Sequence, residues 1–169
     1  RATMNPSVNE LLKGIEKISN YNILLLPNNE NILLSAQQAA NLTSKNVEII
    51  PSKTMPEGVS SILSFNPEYS LKENKKQMEK TLSLVATGMV AKATRSIKYK
   101  DLEVKKGDFI GLSNKEIITR GKDHQSVTLD LISNLVKKDS KLITIYWGKD
   151  INENKAKNLY QEVENKFPN

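Results

Sequence analysis

The run Asn22-Ile23-Leu24-Leu25-Leu26, stopped at once by Pro27-Asn28-Asn29, narrows the folds open to this chain more than any other stretch. Consecutive apolar residues without alternation mark a strand covered on both faces, the habit of parallel sheets rather than half-solvated antiparallel ones. The next segment, Asn31 to Thr43, places Ile32, Leu33, Ala36, Ala39, Ala40 and Leu42 at helical spacing. Its small alanine face lets a helix lie close on a sheet. Val47-Glu48-Ile49-Ile50 then reads as a second strand, ended by Pro51. Strand, helix and strand in that order predict a parallel βαβ unit.

Around this unit the pattern predicts further elements. Asn5-Pro6-Ser7 supplies capping side chains for a helix over Val8 to Ser19, with Val8, Leu11, Leu12, Ile15 and Ile18 on one face. A short helix from Glu57 to Phe65 is broken by Asn66-Pro67, and a longer one from Ser70 to Val85 turns Leu71, Met78, Leu82 and Val85 inward. Thr87-Gly88 marks a change of character. Met89 to Tyr99 alternates, Leu102 to Val104 and Asp108 to Leu112 are short strands, and Lys115 to Thr119 follows the turn at Ser113-Asn114. A helix at Ser126 to Lys137, a strand at Leu142 to Trp147 and a helix at Glu153 to Lys166 complete the chain. The expected organisation is α/β in two lobes: residues 1–86, Rossmann-like and parallel, and residues 87–169, mixed and antiparallel.

Composition removes much chemistry. The 169 residues contain no cysteine and one histidine, His124. Disulfides, thiolate nucleophiles and cysteine-ligated metals are therefore excluded, and a Ser-His-Asp scheme or a histidine-rich metal site has little to draw on. His124, near a helix start, is read as a surface or capping residue. A mean hydropathy of −0.47 and apolar runs far short of the roughly 20 residues needed to cross a bilayer leave no transmembrane segment. The expected location is cytoplasmic, in a reducing compartment. The opening residues show no targeting pattern, and a start at Arg1-Ala2 without an initiator methionine reads as a piece cut from a longer protein.

Charge is unevenly placed. Residues 1–86 hold 9 Lys and Arg against 8 Asp and Glu, whereas residues 87–169 hold 16 against 11, so the lobes carry +1 and +5 of the total +6. Most of the excess lies between Met89 and Lys106, where Lys92, Arg95, Lys98, Lys100, Lys105 and Lys106 face only Asp101 and Glu103. Such a surface steers an acidic partner, and equally it serves as a solvated strand edge on which lysines prevent aggregation. The stretch lacks the interleaved aromatics of single-strand binders, which argues against nucleic acid as partner. If Met89 to Tyr99 is one regular strand, Arg95 falls on its apolar side and needs an anionic or carbonyl partner there; a bulge reverses the face.

Two loops occupy the C-terminal ends of the predicted parallel strands, the edge at which open α/β sheets bind ligands. Asn28, Asn29 and Asn31 lie on the first, and Ser52, Lys53 and Thr54 on the second. Asn and Ser are also ordinary loop and cap residues. No GxGxxG, GxxxxGK[ST] or GxSxG motif is present, so no nucleotide site or nucleophile elbow of familiar type is expected. Lys105-Lys106-Gly107-Asp108 reads as a turn with glycine at a positive-φ position. No catalytic or metal-ligating residue is assigned.

Several segments occur together in a specific order: Thr3-Met4-Asn5-Pro6-Ser7, Leu26-Pro27-Asn28-Asn29 with Asn31, Gln38-Ala39-Ala40, Pro51-Ser52-Lys53-Thr54-Met55-Pro56 with Gly58, Phe65-Asn66-Pro67, and Lys105-Lys106-Gly107-Asp108-Phe109-Ile110-Gly111. Over essentially the whole chain this order resembles the C-terminal domain of the ATP-dependent subunit of bacterial fatty acid kinase, FakA, a dihydroxyacetone-kinase-like family. The resemblance implies a DegV-like (EDD) fold. It implies that ATP and magnesium belong to a separate N-terminal kinase domain, with no cofactor in this one. It further implies that the domain engages FakB, the fatty-acid-carrying protein, so that the acyl carboxylate is phosphorylated for phospholipid synthesis, and that the other domains of the parent kinase are its neighbours. By the same likeness, Ser52 to Pro56 stands where DegV-like proteins hold a fatty-acid carboxylate, with Lys53 and Met55 interrupting the small hydroxyl residues. Proteins of this type continue past Phe167-Pro168-Asn169 into a last strand and carry glycines before Thr3. Two readings follow: a non-catalytic docking domain for the acyl carrier, with Lys92, Arg95, Lys98, Lys105 and Lys106 as its partner surface, or a lipid-binding module in its own right.

Overall fold

A computed structural model describes residues 5–168. The readings that touch Arg1 to Met4 and Asn169 lie outside the described residues. The described residues are mixed α/β, with one parallel and two antiparallel sheets, and the chain divides into two compact units, one ending at Thr87 and the other beginning at Gly88.

In the first unit, α1 (Val8–Glu16) begins at a reciprocal cap. The Glu10 amide donates to Ser7 Oγ at 3.3 Å, while the Glu10 carboxylate accepts from the Ser7 amide at 2.8 Å. β1 (Asn22–Leu25) leads through a 3-10 turn (Glu30–Ile32) into α2 (Leu33–Leu42), and β2 (Asn46–Ile49) pairs with β1 in parallel, Ile23 opposite Val47 and Leu25 opposite Ile49. This is the βαβ unit expected from the apolar runs. Ile15, Ile23 and Ala39 are buried together, with Leu11, Leu12, Leu25 and Val47 packed against them, so α1 and α2 cover one face of the strand pair. α3 (Met55–Ile62) and α4 (Leu71–Leu84) follow, and α4 lies against both strands, tied to β2 by the Lys75–Glu48 ion pair at 2.8 Å. The buried Asn74 fixes the entry to α4: its Oδ1 accepts from the Asn66 amide, and its Nδ2 donates to the carbonyls of Asn66 and Tyr69. That is the structural use of Asn66-Pro67.

The second unit is built on a three-stranded antiparallel sheet in the order β3 (Met89–Lys92), β6 (Phe109–Ser113), β7 (Glu116–Gly121), with a separate hairpin of β4 (Ile97–Tyr99) and β5 (Leu102–Val104). Asn114 and Lys115 both have positive φ, 48° and 67°, which makes the β6–β7 connection a two-residue turn matched to strand twist. α5 (His124–Leu135) packs on the sheet through the buried Val127, Leu131 and Ile132. Gly111 lets it approach: a Cβ there would lie 2.4 Å from Thr119 Oγ1 and 3.3 Å from Leu131 Cβ. α6 (Glu153–Lys166) closes the chain with Val163 buried.

Three expectations are corrected. Met89 to Tyr99 is not one strand: after Lys92 the chain bends through Thr94 and Arg95 before β4 begins. The break is anchored by two backbone bonds, Ala93 N–H to Asp108 O (2.8 Å) and Gly107 N–H to Ala93 O (2.8 Å), which set one residue against two at the end of the β3–β6 ladder. Arg95 is consequently exposed rather than turned onto an apolar face. Leu142 to Trp147 forms no strand; Ile143 and Ile145 are half-buried while Leu142, Tyr146 and Trp147 are exposed, and among the described residues no neighbour pairs with their backbone in a ladder. Finally, α1 stops at Glu16 and α3 starts at Met55 rather than Glu57, since Pro56 sits inside the first turn where its missing N–H costs nothing.

Candidate functional site

Two groups of residues are candidates for binding, one in each unit. The first comprises the loops that leave β1 and β2. Asn28 adopts a left-handed backbone, φ 55°, which swings its amide and side chain toward the second loop. Its N–H donates to Ser52 Oγ at 3.0 Å, and the same hydroxyl donates to Asn28 Oδ1 at 2.7 Å. Ser52 is 1% exposed. Gly58 on α3 makes the arrangement possible, because a Cβ there would stand 1.9 Å from Asn28 Oδ1. Asn29 Oδ1 accepts from the Asn31 amide at 3.0 Å and starts the 3-10 turn, and Asn29 Nδ2 reaches Asn5 Oδ1 at 3.3 Å. Thr54 caps α3 by accepting from the Glu57 amide, and the Glu57 carboxylate accepts from the Lys53 amide at 2.6 Å. The structure thus brings Asn28 and Ser52 into one bonded pair beside α3. The Ser52 and Thr54 hydroxyls and the Asn28 and Asn29 side-chain oxygens bond the chain itself, and the Lys53 side chain is exposed.

The second group is the basic end of the β4–β5 unit. Gly107, φ 92°, turns the chain so that Lys105 and Lys106 stand at its tip. The Lys106 amide donates to Ser96 Oγ at 2.9 Å, which ties the tip to the bend that carries Arg95. Lys92 passes close by, its Cε 4.0 Å from where a Cβ of Gly107 would lie. Lys98 projects from β4 opposite Glu103 in register. An open depression of about 720 Å³ at this hairpin is lined by Ser96, Ile97, Lys98, Val104, Lys105 and Lys106, with Glu103 as its one acidic group. Lys92, Arg95, Lys98, Lys105 and Lys106 are all exposed, and among the described residues none of the five enters an ion pair. Lys100 differs: it meets Glu116 at 3.1 Å and lies 5.4 Å from the Tyr99 ring centroid.

Sequence reasoning missed what holds this end in shape. Asp108 is 0% exposed and takes a 2.5 Å hydrogen bond from Lys122 and one of 3.0 Å from the Lys105 amide, with Arg120 3.9 Å away. The hydrogen bond from Lys122, then that from the Lys105 backbone, holds its carboxyl below the usual aspartate range. A buried carboxylate at the base therefore fixes the turn whose exposed tip is cationic. The aspartate was visible only as a turn residue after Gly107, because its cationic partners, Arg120 on β7 and Lys122 just beyond it, arrive twelve and fourteen residues later. Among the described residues no cluster of His, Cys, Asp and Glu could hold a metal ion, and no helix is long and apolar enough to cross a membrane.

What these features define is an α/β domain with a cationic, conformationally fixed hairpin end and a self-bonded strand-end loop. Residues 1–169 match the FakA-like C-terminal family of fatty acid kinase proteins, and the chain belongs to that family. An uncharacterized protein of Staphylococcus haemolyticus (strain JCSC1435) is 35% identical over 166 residues, covering 98% of this chain and 30% of that protein. Protein YloV of Bacillus subtilis (strain 168) is 32% identical over 169 residues, covering 96% of this chain and 31% of YloV. The chain therefore spans just under a third of the length of these curated relatives.

Proposed function

We propose that this chain is the non-catalytic docking domain of a fatty acid kinase, which binds the fatty-acid-carrying protein FakB and positions it so that the acyl carboxylate reaches ATP held by a separate kinase domain. Family membership over the whole chain supports the kinase context. The observation that carries docking is the set of five exposed, unpaired cations, Lys92, Arg95, Lys98, Lys105 and Lys106, gathered at one rigid end of the second unit. In this reading the chain contributes proximity: holding two reactants in register replaces a bimolecular encounter with a local one. Fixed cations on a hairpin steer an acidic partner and select its orientation. The fold reading that accompanies it is a DegV-like pair of lobes, residues 1–86 and 87–169, in a cytoplasmic enzyme whose ATP and magnesium lie elsewhere in the parent protein.

The alternative is a lipid-binding module that itself holds a fatty acid, with Arg95 or the Ser52 and Thr54 loop on its carboxylate, and the loop gives it no support. Ser52 Oγ is committed to Asn28 and Thr54 Oγ1 to the cap of α3, so a carboxylate would have to break bonds the fold uses. Calorimetric titration of this chain with fatty-acid-loaded FakB, with an ATPase assay in parallel, tests the proposal. Saturable binding without ATP turnover is the expected result. Absence of binding by the folded chain, or a co-purifying acyl chain detected by native mass spectrometry, overturns it.

A further inference from the structure

Among the described residues the parallel sheet of the first unit has two strands, β1 and β2, and the far side of β2 pairs with no other strand. The Asn46 amide donates to the Tyr21 carbonyl at 3.0 Å, and the Ile50 amide to the Leu25 carbonyl at 2.9 Å. Since ladder bonds alternate along a strand, Asn46, Glu48 and Ile50 turn their backbone toward β1 while Val47 and Ile49 turn theirs away from it. Among the described residues the N–H and C=O groups of Val47 and Ile49 have no partner on that outer side. The edge is not covered. It forms the floor of a groove of about 380 Å³ with α2 as one wall, through Leu33 and Ala40, and α4 as the other, through Lys75 and Glu79. Val47 and Ile49 are half-buried, and Pro51, which lacks an N–H, ends the edge.

We propose that this groove binds an extended segment of a partner polypeptide, which adds to β2 as a third strand and alternates apolar with basic side chains. Backbone pairing with Val47 and Ile49 supplies the affinity, in the manner of other strand additions to an open edge. The two walls supply the selectivity. Val47 belongs to the cluster under α1 and α2, so residues of an added strand on that side meet Leu33 and Ala40. Residues on the other side meet Glu48, its ion-pair partner Lys75, and Glu79, whose charge also acts on the Lys75 ammonium. Among the groups that line the groove on this side, two carboxylates face one ammonium, which favours lysine or arginine. A second copy of this chain fits less well, because antiparallel pairing of two β2 edges would face two such acidic walls toward each other and bring α2 and α4 of both copies to the same seam.

The probe is a short blocked peptide in which valine alternates with lysine, added to the isotopically labelled whole chain while backbone amide exchange is followed by NMR. In the free chain the amides of Val47 and Ile49 exchange fast beside slow Asn46, Glu48 and Ile50. The peptide is expected to slow Val47 and Ile49 alone. Replacing its lysines by glutamates is expected to weaken binding by about tenfold, and Glu79→Gln by a few-fold. Ile49→Pro removes only an outward N–H and is compatible with an edge strand, so it should abolish protection at Val47 while leaving the three inward amides slow. A peptide N-methylated on the amides that face β2 should fail to bind to the unaltered chain, which keeps the test independent of the folding of Ile49→Pro. The proposal is overturned if saturating peptide leaves both amides unprotected, if the glutamate peptide binds equally well, or if protection grows with protein concentration alone, which would assign the edge to a second copy.

Discussion

At the scale of single residues, the two candidate regions depend on polar side chains that bind the fold to itself. Asn28, Ser52 and Gly58 form one such unit. Because a Cβ at Gly58 would meet Asn28 Oδ1 at 1.9 Å, Gly58→Ala is expected to push Asn28 off Ser52 and destabilise the first unit by about 1–3 kcal/mol, the usual range for overpacking. Asn28 already has φ 55°, which glycine adopts freely, so Asn28→Gly in the same chain should restore much of the loss. Urea denaturation of the two single variants and the double variant forms a cycle, and strict additivity would show that the two residues do not act on one another. Asp108 makes a second unit with Lys122 and the Lys105 amide. Its carboxyl is held below the ordinary aspartate value of 3.8, so its contribution is fully present above that value and is lost as pH falls through the lower folded-state value. Asp108→Asn should therefore lower the denaturation midpoint near neutral pH, and the gap to the unaltered chain should close only in acid below the ordinary aspartate range. A gap that is constant with pH would assign the effect to packing instead of charge.

At the scale of elements, starts were easier to read than ends, and pairing was the hardest. Ser7 and Ser70 each stand three residues before a glutamate, and both form reciprocal caps in α1 and α4. Ser70→Ala should cost about 1 kcal/mol in stability by chemical denaturation, since it orphans the Glu73 amide in a helix with few apolar residues to compensate. The βαβ unit was legible for a similar reason: apolar runs ended by Pro27 and Pro51 depend on local sequence, and their burial follows from it. The failures share another cause. Whether Met89 to Tyr99 continues as one strand is decided by Asp108 and Gly107 binding Ala93, residues far along the chain that no local pattern announces. Leu142 to Trp147 has the composition of a strand, yet a strand exists only where a neighbour accepts its backbone, and in the described residues none does. The same holds at the sites. The cations of the hairpin were visible as a charge excess, whereas the buried aspartate that organises them, and the free edge of β2, are properties of assembled elements.

At the scale of the whole molecule, the proposed docking can rest on total charge or on the place where that charge sits. The chain carries +6, and each lysine reversed to glutamate removes two charges, so reversing Lys92, Lys98, Lys105 and Lys106 brings the net charge to −2. Reversing Lys13, Lys17, Lys72 and Lys76, all exposed on α1, at its end and on α4, reaches the same −2 without touching the hairpin. Steering by a localised field changes association far more than dissociation and is screened over about 8 Å at physiological salt. Stopped-flow or surface-based kinetics with fatty-acid-loaded FakB should therefore show association falling by about tenfold or more for the hairpin variant at low salt, with its salt dependence flattened or inverted. The first-unit variant should lose much less, and what it loses should disappear as salt is raised. Both variants keep Asp108, Lys122 and the Lys105 amide bond, so their circular dichroism and melting should stay near those of the unaltered chain. Equal slowing by the two variants would mean that the partner senses only net charge. The five cations would then be a solvated edge that guards β4 and β5 against aggregation, and the docking surface would have to be sought elsewhere on the domain.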